Sequence, residues 1–140
     1  MNENVETAQA AEFQSGRIEN LAQQFIHCLH DLEQSENSEN SKIAMLFAED
    51  AVLVNAATEL SKKKIEGREA IKSFWVQYKS TLGKAHSQFH HVTTNQNSAG
   101  LFWTTARDDR YTRYHGATIL QFDENGMITF FRGYYDTREI

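Results

Sequence analysis

Apolar residues recur at three- and four-residue intervals from Ile18 through Leu21, Ala22, Phe25, Ile26, Leu29 and Leu32. That spacing lays a single stripe along a helix starting near Arg17. Glu19, Gln23, Gln24, His27 and Glu33 fall elsewhere on the wheel, so the helix is expected to lie with one face on something broad, such as a sheet. Residues 1–15 are polar and read as a flexible N-terminal arm, either frayed or ordered only against a partner subunit. Ser35–Ser41 has nothing to bury and reads as a loop. Ser41 is placed to cap a short helix over Lys42–Phe47. Ala51–Ala56 then reads as a strand on which Leu53 and Asn55 share a face. Lys62–Glu66 is charged and reads as exposed. Gly67 precedes a second amphipathic helix, Arg68–Leu82, striped by Ile71, Phe74, Trp75, Tyr78 and Leu82 and closed by Gly83.

Beyond Gly83 the period changes to two. Gln88–Asn95 and Leu101–Asp109 are strand-like, and Ala117–Phe122 and Met127–Tyr135 flank Asp123-Glu124-Asn125-Gly126, a hairpin signal. Helices followed by an antiparallel meander, with one early strand between the helices, predict an α+β fold. A curved antiparallel sheet wrapped on the helices would enclose a cone-shaped pocket. Strict alternation puts Ile128, Phe130, Arg132, Tyr134 and Asp136 on one face of the last strand. It likewise puts Leu101, Trp103, Thr105, Arg107 and Asp109 together. Both faces start apolar and end ionic, as a pocket wall does when its far end carries the chemistry. The plainer alternative is a surface ion pair at the strand ends. If the ionic ends converge, Arg107 bridges Asp109 and Asp136, holding one carboxylate ionised while desolvation raises the pKa of the other. One acid and one base near neutrality would result.

Composition narrows the classes. A chain of 140 residues, 40% hydrophobic and 11% aromatic, is one globular domain. With a net charge of −5, and with Lys62-Lys63-Lys64 answered by Glu59, Glu66 and Glu69, no nucleic-acid partner is expected. The single Cys28 forms no internal disulfide. No apolar run reaches the ~18 residues of a membrane span, and the polar start lacks a signal core, so no membrane partner and a cytoplasmic location are expected. His27 and His30 share a metal-like spacing without a third ligand, so no metal is expected. His90 and His91 alternate, so at most one of them enters the pocket.

The pattern Gly67-x-x-x-Ile71-x-x-Phe74-Trp75, then Gly116, then Phe122-Asp123-x-x-Gly126-x-Ile128 ending in Tyr134-Tyr135-Asp136, resembles the nuclear transport factor 2-like superfamily and its SnoaL-like branch. The resemblance covers roughly Arg17 to Asp136 and implies a single SnoaL-like, cystatin-like domain over residues 16–140, homodimeric, with a deep pocket and no cofactor. Locally the chain is similar to the limonene-epoxide hydrolases, through Arg107-Asp108-Asp109, Phe131-Arg132-Gly133-Tyr134-Tyr135-Asp136 and Asn55. That likeness implies Asp109 as the acid, Arg107 as the bridge, and Asp136 with Asn55 as the water activator. It departs at Leu53, where those enzymes carry a tyrosine. Tyr134, Trp103, Tyr78, Leu53, Phe130 and His91 complete the expected substrate contacts. A ketosteroid-isomerase-like use of Asp136 with Tyr78 or Tyr134 is a further option. Two functions stay open: a cofactor-independent acid–base enzyme (hydrolase, isomerase or dehydratase) acting on a small apolar oxygenated molecule, or a non-catalytic ligand-binding or dimeric accessory protein of unknown role.

Overall fold

The computed structural model describes residues 3–36, 41–55, 64–107 and 113–136, with side chains for all of these but residues 3–15, 41 and 136. Helix α1 (Glu3–Gln34) begins well before Arg17, so the helix continues N-terminally past its apolar stripe. The stripe is buried as its spacing requires: Ile18, Ala22 and Leu32 are sealed from solvent, and Phe25, Ile26 and Leu29 nearly so. α2 (Ser41–Ala44) is shorter than the sequence suggests, because the buried Phe47 already belongs to strand β1 (Phe47–Val54). Asn55 therefore follows β1 rather than lying within it. Ile65, expected to be exposed, pairs with Leu53 in the short β2 (Ile65–Glu66) and is half-buried. Lys62 and Lys63 lie outside the described residues. Helix α3 (Arg68–Leu82) is closed by Gly83 at φ 68°, whose N–H donates to Lys79 O at 2.8 Å. A residue with a side chain would be strained there.

The meander follows as β3 (Ala85–Thr94), β4 (Ser98–Arg107), β5 (Arg113–Phe122) and β6 (Ile128–Asp136). Among the described residues the sheet has six strands in the order β2-β1-β6-β5-β4-β3, and only β1 and β6 run parallel. The fold is α+β, with helices on one face of a mostly antiparallel sheet. Phe25, Phe47, Trp75 and Phe131 form an aromatic core beneath the helices; the Trp75 and Phe131 rings meet edge-on at 5.6 Å.

Within the meander, two bulges decide which side chains face inward. In β6, Phe122 pairs with Ile128 but Gln121 pairs with Phe130, leaving Thr129 as an extra residue. In β3, Phe89 pairs with Trp103 but His91 pairs with Phe102, leaving His90 extra. One extra residue reverses the facing of every side chain beyond it. Ile128 is therefore buried along with Phe131, not with Phe130.

Strand β3 is a sheet edge whose free backbone groups would invite another strand. α1 covers that edge with side chains one turn apart. Gln34 Nε2 donates to Ala85 O, His30 Nε2 donates to Ser87 O at 2.8 Å, and Glu33 Oε1 accepts Ser87 N–H at 3.0 Å. At the other end of the helix, Arg17 Nη2 donates to Glu124 O at 2.8 Å and ties α1 to the β5–β6 turn.

Candidate functional site

The concave face of the sheet, with α1 and α3 laid over it, encloses a cavity of about 590 Å³. Pairing across strands builds its floor in rungs. Ser87, Thr105 and Tyr114 form one, Phe89, Trp103 and Tyr135 the next, on either side of Gly116, and Thr118 and Gly133 a third. Gly116 is required by this arrangement, since a Cβ there would run into the Trp103 ring and Tyr134 O. Trp103 lies across that gap and donates from Nε1 to Thr118 Oγ1 at 2.9 Å. The helices contribute Phe25, Leu29, Phe74, Trp75 and Tyr78, so most of the lining is aromatic or aliphatic. The Trp75 indole N–H is shut off from solvent and has no hydrogen-bond acceptor among the described residues.

One wall is polar, and it is organised by a residue that wheel reasoning put outside. Glu33 is only 1% exposed. Its Oε2 accepts from Tyr78 OH at 2.8 Å and from Ser87 Oγ, while Oε1 accepts Ser87 N–H. Ser87 Oγ also contacts Thr105 Oγ1, and Tyr78, Ser87 and Thr105 all line the cavity. Behind this wall, the buried Lys79 donates from Nζ to Glu33 O at 2.8 Å and to Gly83 O at 3.1 Å. The Tyr78 phenol is held well above the ordinary tyrosine range, first by burial, then by the charge of Glu33 and the bond to it, with Ser87 acting weakly the other way. Tyr78 lines the cavity, and it stays a neutral phenol at physiological pH.

The SnoaL-like domain family matches residues 30–131. The chain belongs to the SnoaL-like family. No curated protein matches it. Among solved structures, an NTF2-like protein from Anabaena variabilis is 15% identical with a TM-score of 0.75, covering 89% of this chain and 92% of that one. A cystatin-like-fold protein of unknown function from Methylobium petroleophilum PM1 is 18% identical with a TM-score of 0.69, covering 90% and 80%. The epoxide hydrolase/cyclase-like enzyme SalBIII, with a role in pyran ring formation in the polyether salinomycin, is 15% identical with a TM-score of 0.67, covering 86% and 92%. At such identities the likeness shows the NTF2-like, cystatin-like fold and nothing finer.

On this SnoaL-like scaffold the expected site residues separate into groups. Asn55, Trp103 and Tyr78 line the cavity. Leu53 is inward but fully buried in the core, short of the cavity. Phe130 and Tyr134 do not line it, because the bulge at Thr129 gives the cavity Phe131, Gly133 and Tyr135 instead. Tyr134 is exposed; its hydroxyl accepts from Arg132 Nη1 at 2.9 Å. His91 is turned outward by the bulge at His90 and meets Phe102 edge-on; His90 and His115 also point outward, both contacting Thr104. Arg107, the last residue of β4, is half-buried and extends from Nη2 toward Thr81 O at 3.5 Å, at the C-terminal end of α3. Asp109 lies outside the described residues, as does the Asp136 side chain; the Asp136 backbone pairs with His115. Among the described residues no three His, Cys, Asp or Glu side chains are grouped to share a metal ion.

The sequence pattern placed Thr105 on the wall face without a role, and it did not point to Glu33 or Ser87. For Glu33 a signal existed: Ala22, Ile26, Leu29 and Glu33 follow one another at the spacing of a buried stripe.

Proposed function

We propose that the cavity binds a small, mostly apolar, oxygen-bearing molecule, and that the chain acts first as a ligand-binding protein. The observation that carries this reading is the segregation of the lining. Aromatic and aliphatic side chains surround the space, and hydroxyls gather on the Tyr78–Ser87–Thr105 wall. An apolar pocket with a few convergent polar groups is how proteins hold and orient small organic molecules. The chain has two tryptophans, Trp75 and Trp103, and both line the cavity, so intrinsic fluorescence reads its occupancy. Titration with a bicyclic aromatic alcohol should quench that fluorescence saturably; a linear, non-saturating response would count against the reading.

Acid–base catalysis is the second reading. Arg107, His115 and Asp136 lie at one end of the sheet, but Asp136 is in register with His115, on the face away from the cavity, whereas Arg107 is in phase with Thr105, which lines it. Asp109 and Asp136 would act as acid and base across Arg107, without a cofactor, only if they meet around the strand ends. SalBIII is an epoxide hydrolase/cyclase-like enzyme with this fold, so the scaffold is compatible with such work. NMR titration of the two carboxyls separates the readings: coupled, displaced transitions support catalysis, and two ordinary transitions support binding alone.

For the partner we propose a second copy of the chain. The face of the sheet away from the helices exposes Phe102, Ile119 and Tyr134, each by 39–44%. An apolar group of this kind on a sheet face is suited to pairing. A monomeric mass at micromolar concentration would contradict it.

A further inference from the structure

We infer that the Tyr78–Ser87–Thr105 wall selects hydrogen-bond donors, so that the bound molecule presents a hydroxyl or N–H to it rather than a bare carbonyl or ether. This deepens the ligand-binding reading and rests on it. Ser87 N–H can only donate, and Glu33 Oε1 receives it at 3.0 Å. Tyr78 OH and Ser87 Oγ both reach Glu33 Oε2. Three donors converging on two oxygens are what an ionised carboxylate accepts, and an ionised carboxylate has no proton to return.

The rest is forced. A serine hydroxyl carries one proton. The proton of Ser87 points at Glu33, so the bond between Ser87 Oγ and Thr105 Oγ1 must use the proton of Thr105. Tyr78 and Ser87 have then committed their only side-chain protons to Glu33, and Thr105 has committed its own to Ser87. What they leave for the cavity is lone pairs. A ligand carbonyl set against this wall meets acceptors and loses its bonds to water without replacement. A ligand hydroxyl or amine finds acceptors ready. Thr118 differs, because its oxygen accepts from Trp103 Nε1 and its own proton is uncommitted on that account. The contrast that isolates the wall is therefore a hydroxyl against its methyl ether, which keeps the oxygen and loses only the proton.

The test uses 2-naphthol and 2-methoxynaphthalene, with affinities from tryptophan fluorescence or calorimetry on the full chain. The expected result is 2-naphthol binding about three- to tenfold more tightly, the range of one hydrogen bond. Thr105→Val combined with Tyr78→Phe should bring the ratio near one while the ether still binds. Glu33→Gln should also lower it, since the amide donates to the wall and releases a hydroxyl proton toward the cavity. Equal or tighter binding of the ether by the unaltered protein would overturn the inference and leave the ligand-binding reading standing. If neither probe binds, that reading fails and the inference fails with it.

Discussion

Replacing Glu33 with alanine removes the acceptor for three donors at once: Ser87 N–H, the Ser87 hydroxyl and the Tyr78 phenol. The two hydroxyls can turn elsewhere, Ser87 toward Thr105 and Tyr78 toward the cavity. Each then exchanges a charge-assisted bond for a weaker one, a loss of about 1 kcal/mol apiece. The Ser87 N–H cannot turn. It belongs to an edge strand that has no strand partner on that side among the described residues, and leaving it unanswered costs about 1–3 kcal/mol. Ending the burial of a carboxylate returns part of this. The net loss should be roughly 2–4 kcal/mol, or a fall in Tm of about 8–15 °C for a domain of this size. Urea denaturation followed by far-UV circular dichroism measures it, with Glu19→Ala as the control. Glu19 is exposed on the same helix, and its loss should stay within about 0.5 kcal/mol. Glu33→Gln keeps an acceptor for Ser87 N–H and should fall between the two. A Glu33→Ala protein within 1 kcal/mol of the parent, on the scale of an ordinary surface change, would refute the claim that this carboxylate replaces a missing strand.

Three further outcomes can be checked. Tyr78, one of five tyrosines, should ionise last in an alkaline absorbance titration, because burial and Glu33 raise its pKa. The sign is fixed: unfolding sets the phenol near its ordinary value of 10.0, so above that pH the unfolded chain sheds a proton that the folded one keeps. Stability should then fall by up to about 1.4 kcal/mol per pH unit until Tyr78 itself ionises, and Tyr78→Phe should remove that part of the slope; a Tyr78→Phe protein with an unchanged slope would contradict this. Gly116→Ala forces a methyl into Tyr134 O and the Trp103 ring, and should lower stability by about 1–3 kcal/mol and shift the tryptophan emission; an unchanged emission with full stability would show that the close approach is absent. The Cys28 thiol, raised by burial and by Asp31 against a smaller opposing effect of Lys42, should alkylate at pH 8 several-fold more slowly than a cysteine peptide until urea unfolds the chain. An equal rate in the folded state would count against that environment.

Much of the fold was legible in the sequence because periodicity carried it. The stripe from Ile18 to Leu32, the stripe of Arg68–Leu82 and the switch to period two after Gly83 each match an element. Facing was harder to read. Ile128-Thr129-Phe130-Phe131 is apolar in either phase, so nothing in it marks Thr129 as the extra residue. His90-His91 hides the second bulge in the same way. Strict alternation therefore sent Phe130, Tyr134 and His91 inward, while pairing sends Phe131, Gly133 and Tyr135 there. Glu33 was misplaced for a different reason: its spacing read as buried and its charge as exposed. Charge is the stronger prior only where no partner is available, and the partners here, Ser87 and Tyr78, come from distant parts of the chain.

The central claim is that this hollow, and not the outer face of the sheet, is where a small molecule settles. Methyl NMR tests it directly, because Leu29, Thr105 and Thr118 line the cavity while Ile119 is exposed away from it. Titration with 2-naphthol should move the Leu29, Thr105 and Thr118 methyls together, saturably, with the indole N–H signals of Trp75 and Trp103, and leave Ile119 in place. Movement of Ile119 with the cavity methyls fixed, or no saturable movement up to the solubility of the probe, would contradict it.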